Sequence, residues 1–232
     1  MLKQEEIVNI LGEIPGVSYD GEHFVYAGGK HGEAYKNLRK LLGRTTSLNQ
    51  LCRELTHRLF HKSQHLIKGR KLVIVGHETL GRDMALLMAL SLSQETGENI
   101  DYAYIESPKD GNAVKSYLVN PKTDFEQMIN GSAIILTDDL VNDGSTLREG
   151  IKLVEKLGGE IIAVGVIGNR NNVDAGYFDV PFWDDLVKFS LVQYLPDECP
   201  FCKEQRPVVV DLGRGEEWSS ENPDYPTKTA LG

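Results

Sequence analysis

The stretch Ile134–Thr146, IILTDDLVNDGST, decides how this chain is read. An apolar, β-branched run ends in two adjacent acids, Asp138 and Asp139. Leu140 and Val141 follow, then the polar residues Asn142, Asp143 and Gly144. A helix is expected to open near Ser145–Thr146, because Leu147, Ile151, Val154 and Leu157 recur at helical spacing and Gly158–Gly159 closes the run. Ile161–Ile167 returns as a second apolar strand. Ala133–Arg170 therefore reads as one βαβ unit, with the acids and the loop at the carboxyl end of its first strand. Open α/β sheets bind ligands at that end.

Each part has a physical task. Unpaired N–H groups at a helix start, with the helix dipole, attract a phosphate. Gly144 lets the backbone approach it closely, and the Ser145 and Thr146 hydroxyls add hydrogen bonds. Carboxylates are strong acceptors, so a vicinal acid pair suits the two hydroxyls of a ribose. A sugar with phosphate at one end and a diol at the other fits this layout. Asp143 sets a negative charge inside the phosphate loop unless its side chain turns outward. No Gly-Lys-Ser/Thr is present, which excludes a nucleotide P-loop, and no G-x-G-x-x-G follows a strand, which argues against a dinucleotide fold.

Outside this unit the same alternation continues. Ser47–Lys68 reads as a long helix with Ser47 as N-cap, since Leu48, Leu51, Cys52, Leu55 and Leu59 recur at three- and four-residue spacing. Lys71–Gly76 is a short buried strand, Leu80–Gln94 an apolar helix and Asp101–Glu106 another strand. Ser107–Val114 has loop composition. Near the N-terminus Glu5–Leu11 reads as a helix, and His23–Ala27 and Ala34–Leu38 as short strands flanking the turn Gly28–Gly32. The expected fold class is α/β, a central mostly parallel sheet flanked by helices. Residues 1–210 form a single domain whose first 45 residues make a small hood. Residues 211–232, rich in Gly, Pro, Ser and charge, are expected to be a loose polar tail.

The bulk numbers set limits. The 232 residues carry a net charge of -9, which argues against wholesale binding of nucleic acid or an anionic membrane. No apolar run approaches the roughly 20 residues of a membrane helix, and Met1–Glu6 lacks the apolar core of a signal peptide. Three cysteines, Cys52, Cys199 and Cys202, make no disulfide framework, so a reducing cytoplasm is expected. Cys199–Cys202 supplies two of the four ligands a structural zinc takes and reads as a thiol-bearing turn, with a zinc site shared across a dimer as the alternative. His57, His61 and His65 share one helix face; a metal site is conceivable there, but no acid or thiol is spaced with them and they read as a solvated face. Cys52, Tyr177, Phe178 and Trp183 read as packing residues.

The segment Ile134–Thr146 resembles the signature of type I phosphoribosyltransferases. Within that family the chain is most similar to orotate phosphoribosyltransferases, over roughly Phe24–Pro207. His23–Leu38 (HFVYAGGKHGEAYKNL) resembles their early segment, with Tyr35 at an aromatic position near the base and Lys30 in the turn before it. Val75–Arg82 (VGHETLGR) resembles their pyrophosphate loop, so His77, Glu78, Thr79, Gly81 and Arg82 are implied to face pyrophosphate. Arg170 in GNRN matches the arginine that receives the orotate carboxylate, and Tyr194–Pro207 (YLPDECPFCKEQRP) resembles an ending of some members. In Ile105–Asn112 (IESPKDGN), Lys109 stands for a catalytic-loop lysine and Gly111 for a glycine, while the family's Arg-Lys pair and histidine have no counterpart. The resemblance implies Asp138, Asp139 and Lys109 in catalysis, and residues 142–146 on the 5′-phosphate. It also implies phosphoribosyl pyrophosphate and orotate as substrates, Mg²⁺ bridging substrate oxygens rather than held by the protein alone, and a homodimer. Two further readings keep the fold: transfer to another base, and a non-catalytic regulator that binds phosphoribosyl pyrophosphate.

Overall fold

A computed structural model describes residues 1–26, 28–106 and 118–230. In chain order the elements are α1 (Gln4–Gly12), β1 (Ser18–Val25), β2 (His31–Lys36), α2 (Thr45–Ser63), β3 (Leu72–His77), α3 (Leu80–Thr96), β4 (Asp101–Ile105), α4 (Phe125–Ile129) and β5 (Ala133–Val141). Then come α5 (Ser145–Lys156), β6 (Glu160–Asn169), α6 (Ala175–Phe178), β7 (Trp183–Lys188), α7 (Pro200–Lys203), β8 (Val208–Val209), α8 (Gly215–Glu221) and β9 (Thr227–Lys228). The chain divides into two compact units. Residues 1–13 and 41–189 form the first; residues 14–40 and 190–232 form the second.

The first unit is built on a five-stranded sheet in the order β4-β3-β5-β6-β7, every neighbouring pair parallel. β3, β5 and most of β6 are buried on both faces, as a parallel sheet covered by helices requires. Leu51, Leu55 and Leu59 of α2 are wholly buried, each worth roughly 1.5–3 kcal/mol of apolar transfer. Leu147, Ile151 and Val154 of α5 join the cluster formed with Val73, Val75, Ile134 and Leu136. Strand order reverses between β3 and β5, so the switch point that collects ligands in such sheets lies at their carboxyl ends.

Several expected boundaries move. α2 starts at Thr45, not after a Ser47 cap, and ends at Ser63, where a 3-10 turn over Gln64–Leu66 replaces the last helical residues. His57 and His61 do gain an acid neighbour, because Glu95 of α3 brings Oε1 to 3.9 Å and 3.6 Å from them. His65 instead meets Phe182 edge-on. β5 runs five residues past Leu136, so the two acids lie within the strand.

The second unit holds a four-stranded sheet in the order β2-β1-β8-β9, with β1 and β2 antiparallel and the other pairs parallel. β1 and β2 are each displaced toward the N-terminus from their expected spans. The hood expected over 1–45 is therefore two-part. α1 belongs to the first unit, while the hairpin belongs with the C-terminal segment. Nor is 211–232 a loose tail: it supplies α8 and β9, and Trp218 packs edge-on against Tyr225. No helix among the described residues is long and apolar enough to cross a membrane.

Candidate active site

The site begins where β5 loses one neighbour. β3 pairs with β5 only as far as Gly76↔Thr137, while β6 continues to Val141↔Asn169. From Asp138 onward, one edge of β5 is released at the switch point. Asp138 is 9% exposed, and its Oδ1 accepts from the Asp139 N–H at 2.9 Å, which fixes the turn between the two carboxylates. Asp139 is more open to solvent than its neighbour.

Gly144 follows with φ +77°, a left-handed conformation that a side chain resists, and a Cβ there would stand 2.8 Å from Tyr177 and Phe178. Both constraints require glycine. The chain turns into α5 at this residue, aiming the helix start at the end of β5. Asp143 does not turn away from that start. Its Oδ1 accepts from the Ser145 N–H at 3.0 Å and from the Ser145 hydroxyl at 2.8 Å. A carboxylate of the chain thus occupies donors that the sequence reading assigns to phosphate. Tyr177, expected only to pack, donates its hydroxyl to the Asp143 carbonyl at 2.7 Å and carries the Arg148 guanidinium 4.6 Å above its ring.

The loop after β3 comes to the same place. A Cβ on Gly81 would lie 3.3 Å from the Asp138 Cα, so the start of α3 runs against the acid pair. The Glu78–Thr79 peptide is cis, and the Glu78 N–H donates to the Ile105 carbonyl at 2.9 Å. Arg82 donates to Asp83 at 3.0 Å and lies over the Tyr104 ring; the Asp83 carboxylate raises the Arg82 pKa above its ordinary value. His77 is buried, with Nδ1 3.9 Å from Asp138 Oδ2. Desolvation pushes its pKa down to about 4, against the opposing pull of backbone hydrogen bonds at Thr137 and Thr146. It is neutral at physiological pH. A Cβ on Gly150 would come within 2.3 Å of His77 Nε2, so α5 sits directly on the ring. His77 is a wedge tying β3, β5 and α5 together; the sequence reading had placed it facing pyrophosphate.

Arg170 is the first residue beyond β6, and its N–H donates to the Val141 carbonyl at 3.0 Å. Asn169, missed in the sequence, holds that loop: its Nδ2 donates to the Val173 carbonyl at 2.8 Å and to Asp185 at 2.7 Å. Trp183 Nε1 donates to the same carboxylate at 3.0 Å. Asn171 donates to the Asn142 carbonyl at 2.7 Å, joining the loops after β5 and β6. The structure therefore gathers Asp138, Asp139, residues 142–146, residues 77–82 and Arg170 at one end of one sheet.

A family model described as "Phosphoribosyl transferase domain" matches residues 44–180, more than half of the chain. The chain belongs to the phosphoribosyl transferase family. Among curated relatives it is 26% identical over 208 residues to an orotate phosphoribosyltransferase of Caldanaerobacter subterraneus subsp. tengcongensis, covering 90% of this chain and 96% of that one. It is 25% identical to that of Desulforamulus reducens, again over 90% and 96%. Among solved structures, orotate phosphoribosyltransferase from Aeropyrum pernix superposes with TM-score 0.55 at 17% identity, over 81% of this chain and 94% of that one. Adenine phosphoribosyltransferase from Thermoanaerobacter pseudethanolicus gives 0.50 at 18%, over 81% and 100%. These likenesses establish the phosphoribosyltransferase fold, which serves more than one base.

Three further residues were expected at the site. Lys109, with the loop expected over 107–114, falls outside the described residues. Lys30 and Tyr35 belong to the second unit. The Lys30 carbonyl accepts from Tyr26 N–H at 2.7 Å in the hairpin turn, and Tyr35 stands on β2 with its ring 5.5 Å from that of Phe24.

Proposed function

We propose that the protein is an orotate phosphoribosyltransferase, moving ribose 5-phosphate from phosphoribosyl pyrophosphate to orotate and releasing pyrophosphate, as a cytoplasmic homodimer in pyrimidine nucleotide synthesis. The observation that carries the proposal is the Asp138–Asp139 pair at the released end of β5, followed by the left-handed Gly144 and the start of α5. The names of the curated relatives support orotate as the base, and so does Arg170 at the end of β6, whose guanidinium fork suits a carboxylate.

In this reading the bond from the ribose anomeric carbon to pyrophosphate breaks and a bond to the base nitrogen forms. Positive charge develops on the ribose ring as pyrophosphate leaves, as in glycoside chemistry. Asp138 and Asp139 hold the ribose hydroxyls and face that charge. The backbone of residues 78–81, with Arg82 and Lys109, receives the negative charge of the leaving group. Residues 142–146 hold the 5′-phosphate, and Arg170 orients the base. Carboxylate oxygens at the strand end are the hard donors that suit Mg²⁺, so Asp138 and Asp139 fit an ion that arrives on the substrate's oxygens. When bound, that ion neutralises pyrophosphate charge.

Asp143 favours a second reading, a regulator that binds phosphoribosyl pyrophosphate without turnover, because the carboxylate already holds the Ser145 donors. Arg170→Ala tests the base assignment. It should lower kcat/KM for orotate about 10- to 100-fold, the loss of a charged hydrogen bond, while phosphoribosyl pyrophosphate binding measured by calorimetry stays within twofold. Equal loss of both would remove Arg170 from the base site.

A further inference from the structure

Four metal-ligating side chains that the transfer reaction does not use converge inside the second unit. His23 lies on β1, His31 opens β2, Cys199 caps α7 and Cys202 lies within it. His23, His31 and Cys199 are fully buried and Cys202 partly so. His23 Nε2 is 2.9 Å from His31 Nδ1, and 3.7 Å from the sulfur of each cysteine. His31 Nδ1 is 3.2 Å from Cys202 Sγ, and all four ligand atoms lie within 4.8 Å of one another. A tetrahedral Zn²⁺ with bonds of about 2.0–2.1 Å to nitrogen and about 2.3 Å to sulfur has edges of about 3.3–3.8 Å. The observed separations straddle that range. Taken alone the Cys199–Cys202 pair is two ligands short of a zinc site; the hairpin supplies the other two.

The surroundings suit an ion better than a plain hydrogen-bonded cluster. His23 Nδ1 lies 2.9 Å from the Arg206 carbonyl, which can only accept, so Nδ1 carries the proton and Nε2 turns a lone pair inward. This is the outer-shell arrangement that fixes a metal-bound imidazole. His31 brings Nδ1 to the same point, so two ring nitrogens and two sulfurs meet at one centre. With an ion at the centre, both inward nitrogens are satisfied at once. The rings of Phe201, Tyr225 and Trp218 stand 5.7, 6.1 and 6.5 Å from His23, and Trp218 stands 5.6 Å from His31. Four protein ligands inside an aromatic shell leave no open position, which is the mark of a structural site. Two imidazoles and two thiolates in tetrahedral array select zinc over magnesium or calcium.

We propose that His23, His31, Cys199 and Cys202 bind a structural Zn²⁺ that fastens the β1–β2 hairpin to the C-terminal segment. The second unit needs such a fastening. Its apolar cluster is built on Phe24, Tyr26, Val209 and Leu212, and β8 and β9 are two residues each. Small cores of this kind commonly rely on a metal or disulfide.

The test is metal analysis of the full-length protein purified under reducing conditions, with Co²⁺ titration of the chelated protein. About one zinc per chain is expected. Cobalt should give the intense visible bands of a tetrahedral site together with sulfur-to-metal charge transfer. Cys202→Ser should lose the zinc, whereas His57→Ala, in the exposed His57–His61–Glu95 group, should keep it. The proposal is overturned by wild-type protein that takes up Co²⁺ without tetrahedral, sulfur-ligated bands, or by zinc that survives Cys202→Ser and disappears in His57→Ala. The wild-type cobalt spectrum decides the matter even if the cysteine variant fails to fold.

Discussion

The two polar centres of this protein are built on opposite plans. The centre at the end of β5 is assembled from loops that follow adjacent strands, and many of its hydrogen bonds are exposed or half-exposed: Asp143 on Ser145, Asn171 on Asn142, Arg82 on Asp83. The centre between β1, β2 and α7 is buried, ringed by aromatic side chains and drawn from segments more than a hundred residues apart. An exposed set of polar bonds can be exchanged for a ligand's, because water and neighbours replace what is lost. A buried set cannot be left half-satisfied. The first plan suits a substrate that comes and goes; the second suits an ion that stays.

That contrast can be broken at several points. The largest effect should come from Asp139→Asn or Asp138→Asn. Either change removes a charge facing the developing cation and should lower kcat by about 100- to 1000-fold while leaving zinc content unchanged. Loss of zinc in those variants would show that the two centres are not separate. Next, stripping zinc with a strong chelator should cost roughly 3 kcal/mol, the stabilisation by a ligand held at about 100 times its Kd, or about 6–12 °C in Tm for a chain of this size. An unchanged melting curve with the metal gone would mean that the ion is not structural.

Gly150→Ala should destabilise the fold by about 1–3 kcal/mol through overpacking against His77. Combining it with His77→Ala should recover part of that loss, and purely additive losses would show that the two residues do not share the space. The smallest effect should be Asp143→Thr. Freeing the Ser145 donors should tighten phosphoribosyl pyrophosphate binding about 3- to 10-fold, the worth of one or two hydrogen bonds. Weaker binding would show that the Asp143 carboxylate shapes the loop instead of competing for it.

The same contrast explains what the sequence could reveal. The acid pair, the glycine turn and the helix start are contiguous, and their tasks follow from local backbone chemistry, so Asp138 to Thr146 could be read directly. Arg170 and the loop at His77–Arg82 are implied only by the family resemblance; their side chains carry no local pattern that marks them as a site. His23 and His31 were invisible as ligands, because their partners lie at the other end of the chain and only the closing of the β2-β1-β8-β9 sheet brings them together. Asn169 and Asp185 carry no signal for a related reason, since cross-strand hydrogen bonds between side chains leave no periodic trace. The supposed tail was misjudged because its composition is polar, although Trp218, Tyr225 and Leu212 bury enough surface to order it.

Transfer of a ribosyl phosphate to orotate at the end of β5 is the reaction proposed for this protein. Its most direct test is pyrophosphate release by the purified protein with phosphoribosyl pyrophosphate, Mg²⁺ and a panel of bases, the nucleotide product being identified in each case. The account predicts turnover with orotate and none with adenine, hypoxanthine or uracil. Turnover with another base alone, or tight binding of phosphoribosyl pyrophosphate with no pyrophosphate released from any base, would contradict it.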